Sequence, residues 1–252
     1  MNMQINIYKD YSTLSFYTAN EIVELVKNKP DAVLCLAAGN TPQLTYTLMA
    51  QKAMEEKVDF SQCTFIGLDE WVGIPPENEG SCHFFLQAHI FRPLHIRPSN
   101  IHLFNALSDN LEQECKTMDN LIASLGGIDL MLVGVGMNGH IGFNEPGIPA
   151  DRYSHIIALD ATTQSVGQKY FTQNTQLEKG ITLGLQHLQQ AKKAILIANG
   201  AHKAEIIKKA LEEAINTGIP ASIIRTHAKA LVMLDKEAAT LLDKSAIVSN
   251  DV

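Results

Sequence analysis

Two carboxylates abut at Asp69 and Glu70, a histidine stands at 140 and a glutamate at 145, and both groups follow apolar runs that read as buried strands. A carboxylate at a dry strand end is basic enough to take a proton from a carbon next to a carbonyl. Adjacent strand residues point to opposite faces, so Asp69 and Glu70 are expected in different surroundings and different roles. Around the histidine, Gly134, Gly136 and Gly139 satisfy the G-x-G-x-x-G pattern of dinucleotide binders, and Asp160 stands near the distance of a ribose-binding acid. A dinucleotide turn must open directly into a helix, and Gly142, Asn144, Pro146 and Gly147 prevent one here. The stretch is read instead as an irregular loop that brings backbone close to a ligand. It presents His140 and Glu145 among Asn138 and Asn144. The glutamate would hold the imidazole in one tautomer while the other ring nitrogen moves a proton.

A second group of residues suits an anion. The run Leu36-Ala37-Ala38-Gly39-Asn40-Thr41-Pro42 carries a buried strand through small residues into a Pro fit for a first helical turn. Such a turn aims backbone N–H groups outward at a helix N-terminus, where a phosphate is favoured; the competing reading is a tightly capped helix with Thr41 as N-cap. No Lys-Ser/Thr pair follows, which excludes a nucleoside-triphosphate loop. Lys203, at the start of the helix after strand 194–198, and Lys169, near the end of helix 162–171, are either surface lysines or partners of the same anion. Nine histidines are scattered without paired-ligand spacing, so no metal site is expected.

The elements that must position these residues alternate apolar runs with amphipathic stretches, the pattern of a mostly parallel sheet with helices on both faces. Strands are expected at 32–37, 64–68, 129–135, 155–158, 181–183, 194–198 and 230–234. Helices are expected at 11–28, 42–56, 81–90, 110–125, 162–171, 201–216 and 236–243. The fold class is α/β, a three-layer αβα sandwich with a doubly wound sheet, and 1–252 reads as one domain. In such sheets ligands bind outside the carboxyl ends of the strands, where the groups above fall. The segment 73–80 (GIPPENEG) reads as an active-site loop. The Cys-His-Phe-Phe-Leu stretch after it reads as packing surface.

Composition narrows the class. A net charge of −7 with no basic run excludes nucleic-acid binding by phosphate neutralisation, though not a small phosphorylated ligand. None of the four cysteines forms a C-x-x-C pair, and Cys35 and Cys63 lie in apolar runs as buried thiols. The N-terminus lacks an apolar signal region and no run of about 18 apolar residues occurs; cytoplasmic location without membrane contact is expected.

Taken together, Ala38-Gly39-Asn40-Thr41-Pro42, Leu68-Asp69-Glu70-Trp71-Val72-Gly73 and the run from Gly136 to Gly147 (GMNGHIGFNEPG) resemble glucosamine-6-phosphate deaminase and its galactosamine-6-phosphate sibling, in order, from about residue 10 to 240. The resemblance implies an αβα sandwich enzyme that isomerises and deaminates an amino-sugar phosphate without a cofactor. It implies that Asp69 moves a proton between C2 and C1, and that His140, with Glu145 as partner and Asn138 as an orienting amide, assists ring opening. Gly39, Asn40, Thr41, Lys169 and Lys203 would bind the phosphate, with Lys169 in place of an arginine and so without its bidentate fork. Glu70, Gly136 and Gly139 would border the substrate. Trp71, replacing a tyrosine, and the runs 29–33 and 126–130 lean towards the galactosamine-type members. The basic pair that binds an allosteric activator in some members appears as His155 and Ile157, so that activation is not implied. Homo-oligomers occur in the family. The competing functions are a 6-phosphogluconolactonase-type hydrolase, which needs no carbon base, and a non-catalytic sugar-phosphate sensor, whose DNA-binding extension has no room before the first expected strand.

Overall fold

The computed structural model describes residues 4–243. Its strands are β1 (Gln4–Tyr8), β2 (Val33–Leu36), β3 (Thr64–Ile66), β4 (Asp69–Trp71), β5 (Ile101–His102), β6 (Leu130–Val133), β7 (His155–Ala158), β8 (Lys179–Thr182), β9 (Ala194–Ala198) and β10 (Ala230–Asp235). The α-helices are α1 (Tyr11–Asn28), α2 (Asn40–Glu55), α3 (Cys82–Leu86), α4 (Leu111–Ser124), α5 (Ala161–Gly167), α6 (Leu185–Gln190) and α7 (Ala204–Glu212).

Seven strands form one sheet in the order β1-β10-β9-β6-β2-β3-β5, and every pairing in it is parallel. Side chains alternate along each strand between two apolar layers. Cys35, Met131, Val133, Leu196 and Val232 enter one cluster with residues of α4, α6 and α7. Leu34, Leu36, Leu132, Ile195 and Met233 enter the other with residues of α1, α2 and α3. Both faces are therefore covered, which is why the strands read as continuous apolar runs.

From β2 the chain steps to β3 on one side, whereas β6 lies on the other. A crevice opens at the carboxyl ends of β2 and β6, the topological switch point of a doubly wound sheet. A smaller antiparallel sheet, β4-β8-β7, stands above those ends.

Several expectations are corrected. The run 64–68 divides: Thr64–Ile66 stays in the large sheet and the chain passes through Gly67 and Leu68 into β4, which carries Asp69 and Glu70 into the small sheet. β1 precedes the first strand expected; its pattern of two isoleucines among polar residues, at a sheet edge, is too short to stand out. The segment expected as helix 236–243 is a series of turns. The helix expected at 201–216 is a 3₁₀ turn, Ala201–Lys203, followed by α7, and the helix expected at 81–90 is α3 followed by one π turn, Gln87–Phe91. No helix among the described residues is long and apolar enough to cross a membrane.

Candidate active site

The crevice at the switch point is a cleft of about 620 Å³. Its two ends are chemically different. One is built where β2 gives way to α2. Gly39 takes φ +119° at the N-cap, a conformation closed to most residues, and no side chain caps the helix. Thr41 therefore is not the cap; the start of α2 carries no side-chain cap, and the Asn40 N–H meets the Tyr170 hydroxyl. Tyr11 braces the turn from below, its hydroxyl donating to the carbonyls of Asn40 (3.1 Å) and Thr41 (2.9 Å).

Opposite this turn lies Lys203. Its Nζ donates to the Val135 carbonyl at 2.7 Å, which swings the side chain inward across the crevice. Burial, and then the nearby charge of Lys169, pull its pKa down to about 8. Lys169 follows α5 in a 3₁₀ turn with its Nζ 4.9 Å from the centroid of the Tyr170 ring. Lys169, Lys203 and His202 border the same cleft as Gly39, Asn40 and Thr41. Two cations and the start of α2 thus put positive potential on one side of the cleft in an acidic protein.

At the other end, Asp69 lies half-buried on β4. Burial above all, and then the neighbouring Glu70 carboxylate, push its pKa up to about 7, against one hydrogen bond from Cys82 at 3.5 Å. That places a carboxyl group where it can both take and return a proton near neutral pH. Glu70 points the other way, as strand alternation requires. It is buried and accepts hydrogen bonds from the backbone N–H groups of Trp71, Cys82 and His83 at 2.9, 3.0 and 2.8 Å. It does not border the cleft, which corrects its expected place beside the substrate.

The loop after β6 supplies the histidine. His140 lies folded back over the loop that carries it, and a Cβ on Gly136 would sit 2.3 Å from its Nε2; only glycine admits the ring there. His140 Nδ1 is 3.0 Å from Thr163 Oγ1 and 3.5 Å from Glu145 Oε2. Asn138 donates to the same glutamate oxygen at 2.8 Å. Glu145 is buried behind the histidine. Burial raises its pKa, but the contacts with His140, Thr163 and Asn138 outweigh that and hold it low, as a carboxylate. The loop then turns onto the small sheet, where a Cβ on Gly142 would lie 3.3 Å from Asp69 Oδ2. Asp69, Asn138 and His140 thus share one cleft. Gly139, also expected beside the substrate, faces Ile206 and Ile219 instead.

Three further residues escaped the sequence reading. Thr163 carries no local signal beyond its place just after an N-cap: Asp160 caps α5, accepting from Thr162 N at 2.8 Å, and is not a ribose-binding acid. Cys82 borders the cleft, although its stretch reads as packing surface. Tyr170 borders it as well, with its pKa pushed up to about 12, chiefly by burial. Trp71 packs against Phe143 and Phe171, with centroids 4.6 and 5.9 Å away. His155 is buried on β7, its Nδ1 2.8 Å from the Tyr153 carbonyl. Among the described residues no cluster of three or more His, Cys, Asp or Glu is placed to hold a metal ion.

Comparison with known proteins agrees with this geometry. The family model described as glucosamine-6-phosphate isomerases/6-phosphogluconolactonase matches residues 11–233. The chain is 34% identical over 241 residues to a glucosamine-6-phosphate deaminase of Thermoanaerobacter pseudethanolicus, covering 95% of each chain. It is 42% identical over 218 residues to the glucosamine-6-phosphate deaminase of Lachnoclostridium phytofermentans, covering 86% of this chain and 92% of that one. Among solved structures, a monomeric glucosamine-6-phosphate deaminase superposes with a TM-score of 0.92 at 35% identity, over 95% of this chain and 100% of that one. The 6-phosphogluconolactonase of Trypanosoma brucei superposes with a TM-score of 0.79 at 19% identity, over 96% and 99% of the two chains, and shares the fold. With the sheet order, the switch-point cleft and the matched length in accord, this chain belongs to the glucosamine-6-phosphate isomerase/6-phosphogluconolactonase family.

Proposed function

We propose that this protein is a cytoplasmic, single-domain hexosamine-6-phosphate isomerase-deaminase that takes glucosamine 6-phosphate to a ketohexose 6-phosphate and ammonia. The observation that carries the reading is a carboxyl group tuned to about pH 7 in the same cleft as a histidine–carboxylate pair and an anion site. The phosphate docks on Gly39, Asn40 and Thr41 and on Lys203 and Lys169. His140, backed by Glu145 and Thr163 and oriented through Asn138, passes a proton to the ring oxygen, and the C1 hydroxyl loses one, giving the open-chain aldehyde. Asp69 takes the C2 proton as the carbonyl oxygen is protonated, forming an enolamine. It returns that proton to C1 while the nitrogen lone pair closes a C2 iminium. Water adds to C2, and ammonia leaves.

The substrate's own carbonyl acidifies the C–H bond, so no cofactor enters the scheme. Holding one carboxylate at the carbon contributes on the order of 7–11 kcal/mol as a positioning effect, and proton transfer by it about 10²–10⁴-fold.

The gluco-configured substrate is favoured because the related deaminases described above carry that name. The galactosamine-type reading rests on Trp71 and the runs 29–33 and 126–130. Its weight is reduced because Trp71 is accounted for by its aromatic packing. Ammonia release from the two amino-sugar phosphates, measured side by side, decides between them. Asp69→Asn should lower kcat by at least about 10³-fold with KM changed little. Near-normal turnover of that variant removes Asp69 from the base role, and hydrolysis of 6-phosphogluconolactone without ammonia release replaces the reading altogether.

A further inference from the structure

The thiol of Cys82 takes no part in the scheme above. Cys82 is the first residue of α3 and borders the cleft. Its Sγ lies 3.5 Å from Asp69 Oδ1, a normal length for a thiol donor given the size of sulfur. Among the described residues it is the one hydrogen-bond donor to that carboxylate. On its other side, Asp69 Oδ2 faces the Gly142 backbone, which offers no side chain.

The start of α3 is itself held from two directions. Ser81 Oγ caps it, accepting from Phe84 N at 2.9 Å. Glu70 accepts from the N–H groups of Cys82 and His83 at 3.0 and 2.8 Å. The adjacent acids on β4 are therefore linked through another element: Glu70 clamps the backbone whose side chain meets Asp69. We propose that Cys82 is a positioning residue for the proton transfer, its thiol holding the Asp69 carboxylate in the orientation from which it reaches the substrate carbon. The inference rests on Asp69 being the base.

The thiol hydrogen stays on sulfur throughout. Burial above all, and then the charges of Asp69 and Glu70, push the Cys82 pKa well above its ordinary value, so it serves as a donor and not as a nucleophile. A donor to a carboxylate favours the anionic form, so the bond also opposes the burial that makes Asp69 hard to ionise. The other ionisable groups facing Asp69 are Glu70 on the same strand, Cys35 on β2 and Tyr170 beyond α5. Burial raises all three, Cys35 well above the ordinary thiol range and Tyr170 to about 12, and neither the thiol nor the phenol changes charge near neutral pH.

The test compares the pH dependence of kcat/KM for ammonia release in the native protein, Cys82→Ala and Cys82→Ser, with Asp69→Asn alongside. Alanine removes the donor, and the acidic limb should move up by about half to one pH unit, the size expected for one weak donor to a charge. At pH 6.5, on that limb, the loss is roughly three- to tenfold. Serine restores a donor and should return the limb to its native position or below. The infrared band of the protonated Asp69 carboxyl, assigned by its loss in Asp69→Asn, follows the same titration without turnover and applies even to an inactive variant. A native limb and a native carboxyl titration in a folded Cys82→Ala overturn the inference. If Asp69→Asn instead keeps its activity, the base assignment itself has failed, whatever the cysteine variants do.

Discussion

The two ends of the cleft meet opposite demands by the same means. At the phosphate end, burial pulls a cation, Lys203, down to about 8. At the proton-transfer end, burial pushes a carboxyl, Asp69, up to about 7. Desolvation penalises whichever form is charged, so one environment brings an acid and a base towards neutrality from opposite sides. The difference lies in what relieves the strain. Under the proposed function a phosphate would bring a compensating charge to Lys203, whereas Asp69 would work by gaining and losing a proton. On that reading the first site would be completed by its ligand, and the second would stay desolvated because proton transfer needs a carboxyl poised near neutral pH.

The comparison is most easily broken at the lysines. Lys203→Met should reduce kcat/KM by about a hundredfold, mostly through KM, because a buried charge-assisted contact is lost. Lys169→Met should cost only about threefold, since Lys169 is exposed and partly screened. Steady-state kinetics with the amino-sugar phosphate, and competition by inorganic phosphate, read both effects. A larger loss at Lys169 would move the phosphate towards α5 and away from Lys203.

A smaller effect sharpens the contrast. If turnover needs Asp69 as carboxylate and binding needs Lys203 as ammonium, kcat/KM should follow a bell with its acidic limb near 7 and its basic limb near 8. Beyond each limb the rate falls about tenfold per pH unit. Bound phosphate favours the charged lysine, so the basic limb of kcat should lie above that of kcat/KM, while the acidic limb moves less. A basic limb at the same pH in both profiles argues against Lys203 as the phosphate partner.

The smallest expected effect is on stability. Asp69 has a raised pKa in the folded state, so between about 4 and about 7 the folded chain holds a proton that the unfolded chain has lost. Stability contributed by the protonated form is present below that window and is lost as pH rises through it. Asp69→Asn has no such loss. It should melt a few degrees above the native protein at pH 8, with the gap closing towards pH 4, as scanning calorimetry at both values would show. Glu145 has the opposite sign. Its pKa is lowered against burial by its contacts with His140, Thr163 and Asn138, so the stability it supplies is lost as pH falls.

Much of this architecture was legible along the chain. Runs such as those of β6 and β9 are apolar at every position because both faces of the sheet are covered, and α1 announces itself by Asp10 at its cap and a buried face from Leu14 to Val26. The short edge strands β1 and β5 were not legible, because a few residues of mixed polarity carry no period. In the site, the chemical types of Asp69, His140, Glu145 and Lys203 could be read from strand ends and glycine spacing. Strand alternation set Glu70 apart from Asp69, but only its three backbone partners showed that it clamps the start of α3.

The sequence by itself determined which groups could do chemistry, because residue type sets the intrinsic proton affinity and glycine marks where backbone must come close. Only the tertiary structure decided their working strength and company. Desolvation, the thiol of Cys82 against Asp69 and the hydroxyl of Thr163 against His140 come from elements distant along the chain. Such contacts follow from packing in three dimensions, which no local pattern encodes.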